Sequence, residues 1–220
     1  MSFGIFLIFL LNSCSIYNKY FGEKDLPPEE LMNEGLKDLD KGNYKSAAEK
    51  FQEIKDRYPY SEFAIEAELK IADSQFRNRE YDIAYDAYDE FERMHPRDEN
   101  IPYTIYQKGM CHFQQIKTID REQTHTVLAK DEFERLIKRF PSNEYADRSR
   151  KNLRKCLIFL AEHELYVGNF YFKMKQYKAA MGRYRFLIEN YPDMGQYHEA
   201  LQYISICMEK IARFEEGLDP

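Results

Sequence analysis

Between Ala64 and Pro96 the apolar positions recur at three- and four-residue steps in two successive runs. The first run carries Leu69, Ile71, Ala72, Gln75 and Phe76; the second carries Tyr81, Ala84, Tyr88 and Phe91, and Pro96 closes the pair. That spacing predicts two antiparallel helices. The small residues Ala72 and Ala84 fall where the helix axes must approach, and the rings of Phe76, Tyr81, Tyr88 and Phe91 fill the space beside them.

The same unit recurs along the chain. Upstream, Leu31, Gly35, Gly42, Tyr44, Ala47, Phe51, Ile54 and Pro59 occupy matching positions, with Glu34 and Asp38 standing where the pattern prefers apolar residues. Downstream, Tyr106, Gly109, Phe113, Ala129, Phe133, Leu136 and Pro141 form a third unit. Val167, Gly168, Tyr171, Phe172, Tyr177, Ala180, Tyr184, Leu187 and Pro192 form a fourth. The closing prolines lie 37, 45 and 51 residues apart, so against a unit of 37 the third carries 8 extra residues and the fourth 14. This is the tetratricopeptide (TPR) pattern, whose period is about 34 residues. Each unit's hydrophobic face needs a neighbour, so the units must stack. The expected architecture is therefore all-α, a TPR-type helical-hairpin solenoid of about four and a half repeats. The half is a final helix from Tyr197 to about Phe214, whose Gln202, Glu209, Lys210 and Arg213 suit a cap.

The extra residues are placed as follows. In the third unit they form a polar insertion over residues 119–126, IDREQTHT, on one edge of the stack, equally suited to a contact site and to a plain surface loop. In the fourth they lie inside the first helix, because residues 144–175 contain no proline and only Gly168. Tyr145 to Met174 is then one helix of 30 residues, about 45 Å long at 1.5 Å per residue, joining an N-terminal half (29–143) to a C-terminal half (144–220).

Residues 3–11, FGIFLIFLL, are an apolar run of nine, under half of the about 20 needed to span a bilayer. They read as the core of a signal peptide covering residues 1–13. Leu11-Asn12-Ser13-Cys14 looks like the lipobox of a bacterial lipoprotein. The likeness implies that Cys14 becomes the first mature residue and carries a thioether-linked diacylglycerol and an N-acyl chain, an effectively permanent anchor. An ordinary thiol just past a cleaved signal is the other reading. Ser15 after the cysteine favours the outer membrane. Residues 14–28 read as a tether, with Gly22 and Pro27-Pro28 discouraging helix and Glu29-Glu30 suited to the positive end of the first repeat helix.

The 38 acidic and 32 basic residues, a net charge of −6, are mixed along the helices. That is a solvated surface and not a nucleic-acid footprint. Catalytic signatures are missing: there is no C-x-x-C, H-E-x-x-H, G-x-S-x-G or phosphate loop, and the five histidines show no ligand spacing. Cys111, Cys156 and Cys207 read as small buried hydrophobes, with a disulfide between two of them left open. No enzyme and no cofactor are expected beyond the lipid on Cys14. What a stack of helix pairs offers is surface. The first helices place Leu69, Asp73, Phe76 and Arg77, then Tyr103, Tyr106, Met110 and Phe113, along one face. This mixture suits an extended peptide whose side chains meet the rings and whose carboxylate meets Arg77, or Lys173 of the fourth unit; for any one ring, packing between helices is the equal alternative.

A lipobox cysteine, a short tether and these units together resemble the BamD (YfiO/ComL) family of the β-barrel assembly (BAM) machinery. The resemblance covers nearly the whole mature chain. It is carried by RYPYSEFAIEAELKIADSQF, by His95-Pro96 through Asn100-Ile101 to Tyr103, Tyr106 and Gly109, by the Asp120-Arg121 insertion, and by the long helix ending in LYVGNFYFKMKQYKAAMGRYRFLIENYP. It implies a scaffold at the periplasmic face of the outer membrane that promotes folding and insertion of β-barrel proteins. Its implied partners are a BamA-like barrel protein, the C-terminal peptides of unfolded outer-membrane clients, other BAM lipoproteins, and membrane lipid through the anchor. Arg183, in AMGRYR, matches a family arginine that takes part in docking. The alternative is another periplasmic TPR lipoprotein coordinating peptidoglycan or cell-division machinery.

Overall fold

The computed structural model describes residues 26–216, so the expected signal peptide, Cys14, the tether up to residue 25 and residues 217–220 lie outside the described residues. Among the described residues there are nine helices and no strand: α1 (Pro28–Lys41), α2 (Tyr44–Arg57), α3 (Ala64–Arg77), α4 (Tyr81–Met94), α5 (Ile101–Phe113), α6 (Thr124–Arg139), α7 (Glu144–Lys173), α8 (Tyr177–Asn190) and α9 (Tyr197–Glu215). Each packs on its neighbours in the chain, and α5 also meets α7. The result is four hairpins and a closing helix, the all-α TPR-type solenoid read from the sequence.

One contact recurs inside the hairpins. A Cβ added to Gly35 would lie 2.6 Å from the Phe51 ring, one on Gly109 2.6 Å from Phe133, and one on Gly168 2.5 Å from Tyr184. All are well inside van der Waals contact, so the first helix can carry only hydrogen there. In the second hairpin Ala72 holds the register of the glycine and Tyr88 that of the ring, both fully buried. The residue after the small one answers the ring's chemistry. Opposite the phenyl groups it is Leu36 or Met110. Opposite the phenols it is Asp73, which accepts from Tyr88 Oη at 2.7 Å, or Asn169, which accepts from Tyr184 Oη at 2.7 Å. A buried hydroxyl needs a partner, whereas a phenyl ring does not.

The insertion starts and ends earlier than the sequence suggested. Residues 114–123 link α5 to α6, and residues 124–126 are already the first turn of α6. The shift has a local cause: the Thr126 hydroxyl donates to the Gln123 side chain at 2.8 Å and Val127 N–H to the Gln123 carbonyl at 3.0 Å, so Gln123 starts the helix. The link is tied down where His163 Nδ1 of α7 meets the Ile119 carbonyl at 2.6 Å. The long helix has its expected 30 residues but begins one residue sooner, because Asn143 caps it by accepting from Tyr145 N–H at 2.9 Å. At the other end of the chain, residues 26–28, read from the sequence as the end of the tether, belong to the folded body. Leu26 is buried against the first hairpin, its carbonyl accepts from Tyr58 Oη at 3.0 Å, and Pro28 opens α1.

Units two and three are joined by a largely buried ion network. Lys108 of α5 lies 2.6 Å from Asp89, 3.3 Å from Glu92 and 3.6 Å from Glu132, while Arg135 of α6 forks onto Glu92 at 2.6 and 2.9 Å. Burial alone would raise the Glu92 carboxyl, but Arg135 and Lys108 outweigh it and hold it below its ordinary 4.5.

Two expectations follow. Gly168→Ala drives a methyl into Tyr184 and should lower stability by about 1–3 kcal/mol in urea unfolding, the usual effect of overpacking. Because Glu92 is held low in the folded state, its contribution is complete above about pH 4.5 and is lost as the pH falls through its folded value. Glu92→Gln should therefore be less stable than the parent at neutral pH and lose less on acidification, read as unfolding midpoints at pH 7 and pH 3.5.

Candidate functional site

The eight groove residues proposed from sequence lie on α3 and α5, but they do not form one open surface. Leu69 and Asp73 are buried, at 6% and 8% exposure, so neither lines a groove. Asp73 is turned inward because two phenols share one of its oxygens: Tyr88 donates to Oδ1 at 2.7 Å and Tyr103 at 2.6 Å, while Lys70 Nζ lies 3.4 Å from Oδ2. Burial first, and then the Asp73 charge, push both phenols above their ordinary range, so they stay protonated and keep donating.

The remaining six residues do present surface. Tyr103 and Tyr106 of α5 are half-buried, and both pack on Tyr145 from the start of α7, with ring centroids 5.4 and 5.5 Å apart. Their polar ends are held as well. Gln107 Nε2 donates to Tyr103 Oη at 2.9 Å, and Asn152 Nδ2 lies 3.4 Å from Tyr106 Oη and 3.2 Å from the Met110 sulfur. Phe113 leans edge-on against Phe133, and Phe76 edge-on against Tyr81 at 5.4 Å. Arg77 is exposed, with no ion pair among the described residues. The outcome is a shelf of fixed rings with one free guanidinium nearby. Rings held this way can receive apolar side chains at little entropic cost. Tyr145 and Asn152 escaped the sequence reading because they sit on the extended part of the long helix, outside the repeat register.

Arg183 lies on α8 and is 45% exposed at its side chain; its Nη1 is 3.2 Å from Oε2 of Glu164, a residue of α7 that is only 12% exposed. The arginine is thus braced from below by a carboxylate, and a guanidinium has five N–H donors, so others remain for a partner. In the sequence Glu164 is one of 38 acidic residues, with nothing to set it apart. The arginine that faces it stands on the second helix of the hairpin, out of reach of a reading along one helix.

Other reactive groups among the described residues are engaged within the fold. Cys111, Cys156 and Cys207 are free and buried, and burial pushes the first two thiols up to about 12, far from reactive thiolates. His112 and His125 face one another, Nδ1 to Nδ1 at 3.4 Å, a pairing invisible in sequence because the link intervenes. Burial, then His125, lower His112. Among the described residues no three His, Cys, Asp or Glu side chains converge as a metal site, and no helix is long and apolar enough to cross a membrane.

Asp73→Leu strips the acceptor from two phenols at once. An orphaned buried hydroxyl costs about 1–3 kcal/mol, so a loss of about 2–5 kcal/mol is expected in urea unfolding, with Asp73→Asn much milder because it keeps an oxygen. Equal losses for the two variants would contradict the shared-acceptor geometry.

Comparison with known proteins places the chain in a family. The family model described as "YfiO: Outer membrane lipoprotein" matches residues 24–214. Among curated proteins, the outer membrane protein assembly factor BamD of Rickettsia prowazekii is 37% identical over 175 residues, covering 80% of this chain and 70% of the relative. The protein of the same name in Caulobacter vibrioides is 30% identical over 195 residues, covering 86% and 64%, and that of Vibrio cholerae 24% over 209 residues, covering 90% and 86%. Among solved structures, "TPR2AB-domain:pHSP90-complex of yeast Sti1" superposes with a TM-score of 0.47 at 14% identity, covering 86% of this chain and 72% of that one. With the family model matched from residue 24 to residue 214, the chain belongs to the YfiO family of outer membrane lipoproteins.

Proposed function

We propose that the chain is a non-enzymatic, lipid-anchored scaffold of the BAM machinery, working at the periplasmic face of the outer membrane. As a family member it is an outer membrane protein assembly factor associated with the outer membrane. The observation that carries the reading is the family match over almost all of the described chain, joined to relatives named for that task.

The finer assignments divide the molecule. The anchor is Cys14. The shelf of Phe76, Arg77, Tyr103, Tyr106, Met110 and Phe113 receives the C-terminal peptides of unfolded barrel proteins, whose aromatic side chains suit rings already fixed by hydrogen bonds or by packing on neighbouring rings and whose terminal carboxylate suits Arg77. Docking on a BamA-like subunit uses the C-terminal half through Arg183. Support for this comes from the brace: Glu164 holds the guanidinium at the surface, so little side-chain entropy remains to be lost on binding. Other BAM lipoproteins are further partners.

Co-purification from solubilised outer membrane tests the assignment. A large barrel protein with repeated periplasmic domains should be recovered with the parent chain, and Arg183→Glu should reduce that recovery about tenfold, as loss of a close interfacial charge pair does, with helicity unchanged by circular dichroism. Recovery of cell-wall enzymes alone would overturn the assembly role, and undiminished recovery with Arg183→Glu would remove that residue from the docking surface.

A further inference from the structure

Three positions after the small residue of each first helix stand Asp38, Gln75, His112 and Tyr171. Asp38 accepts from Ser46 at 2.6 Å and Asn43 at 3.2 Å, His112 packs on Tyr85 and meets His125, and Tyr171 joins the core of the last hairpin. Gln75 differs. Its Oε1 is buried and has no donor among the described residues. Beside it, α2 and α4, the second helices of units one and two, leave two adjoining cavities of about 770 and 240 Å³ that share Gln52, Ile71 and Gln75.

The groove has an apolar floor and an acidic rim. Ala48, Ile71, Ala87 and Phe91 form the floor, and Ile83 stands at the lip, 54% exposed. Six carboxylates and three cations line it, and each cation is already engaged: Lys50 with Glu34 at 3.2 Å, Lys55 with Glu90 at 3.1 Å and Arg57 with Glu53. Glu49 and Asp86 are exposed with no ion pair described. The Lys55–Glu90 pair spans the groove from α2 to α4.

We propose that this groove docks a cationic amphipathic segment of a partner protein, apolar side chains seated on Ile71 and Ile83 and a lysine or arginine donating to Gln75 Oε1. The excess of carboxylates selects for positive charge and against a neutral or acidic segment, because like charges held together at an interface are strongly unfavourable. The floor supplies the apolar contact that an amphipathic helix needs in a groove. The lone buried acceptor supplies a fixed point for one donor, which a purely apolar ligand would leave unsatisfied. None of these residues belongs to the aromatic shelf or to the Arg183 surface, so the inference stands or falls apart from the proposed function.

The probes are a fluorescein-labelled synthetic amphipathic peptide of leucine and lysine and its leucine–glutamate counterpart, titrated with the full chain in non-ionic detergent and read by anisotropy. The lysine peptide should bind and the glutamate peptide should not. The double variant Glu49→Lys, Asp86→Lys should weaken binding about tenfold or more, the scale of charge complementarity at an interface. Gln75→Leu and Ile83→Ser, read on chains of parental helicity, should each weaken it about threefold or more, as loss of a buried acceptor or an apolar anchor does. The distant pair Glu189→Lys, Asp193→Lys should leave it unchanged. Equal weakening by the distant pair, equal binding of the glutamate peptide, or parental affinity in all three groove variants would each overturn the proposal.

Discussion

The array depends on one contact, a ring on the second helix of a hairpin lying against a residue with little or no side chain on the first. The spacing from small residue to ring is 16 in units one, two and four and 24 in unit three, where the link adds 8. Its physical content is simple. Two helices that approach closely have room for one large flat group, and the opposite backbone must be bare to admit it. Burying such a ring is worth about 2–3 kcal/mol, and the contact is local, so each hairpin carries its own anchor and loop-closure cost stays low. Stacking then covers the remaining apolar edges, which no unit can bury alone.

Given that anchor, polarity decides how the units join. Where the ring is a phenol, its hydroxyl recruits Asp73 or Asn169 within the hairpin. Asp73 goes further by also accepting from Tyr103 of the next unit, and Lys108 adds a second polar tie across the same junction through Asp89, Glu92 and Glu132. Unit two is therefore bound firmly to unit three. Toward unit one the same unit presents Gln75, which lines the groove between α2 and α4.

The repeat was legible because it is written in residue size. Gly35, Gly109 and Gly168 with Phe51, Phe133 and Tyr184 reveal the hairpins by volume alone, and the 30-residue helix follows from the lack of breakers after Asn143. The site was only partly legible. Register assigned Leu69 and Asp73 to the face of the first helices, but register says which side of a helix a residue occupies and not whether a neighbouring unit covers it. Asp73 is covered because Tyr103 reaches back to it across the junction. The same blindness hid Glu164 beneath Arg183, Tyr145 beside Tyr103, and His125 beside His112. Each is a partner on another helix, at a separation that periodicity along one helix does not encode.

The long helix gives these sites a common frame. α7 supplies Tyr145 and Asn152 to the aromatic shelf of unit three and, farther along, Glu164 to Arg183 of unit four. From residue 145 to residue 164 an uninterrupted α-helix advances about 28 Å. The helix lacks proline, and its one glycine, Gly168, is spent on the Tyr184 contact beyond that interval, so nothing between the two sites invites a kink. The link is pinned to the same rod through His163 and Ile119. The proposed client shelf, through Tyr103 and Tyr106, and the proposed docking arginine, through Glu164, consequently both pack against one uninterrupted helix. A peptide held on the proposed shelf would thereby be presented at a set distance from whatever the proposed docking arginine holds, which is the geometric service a scaffold can supply.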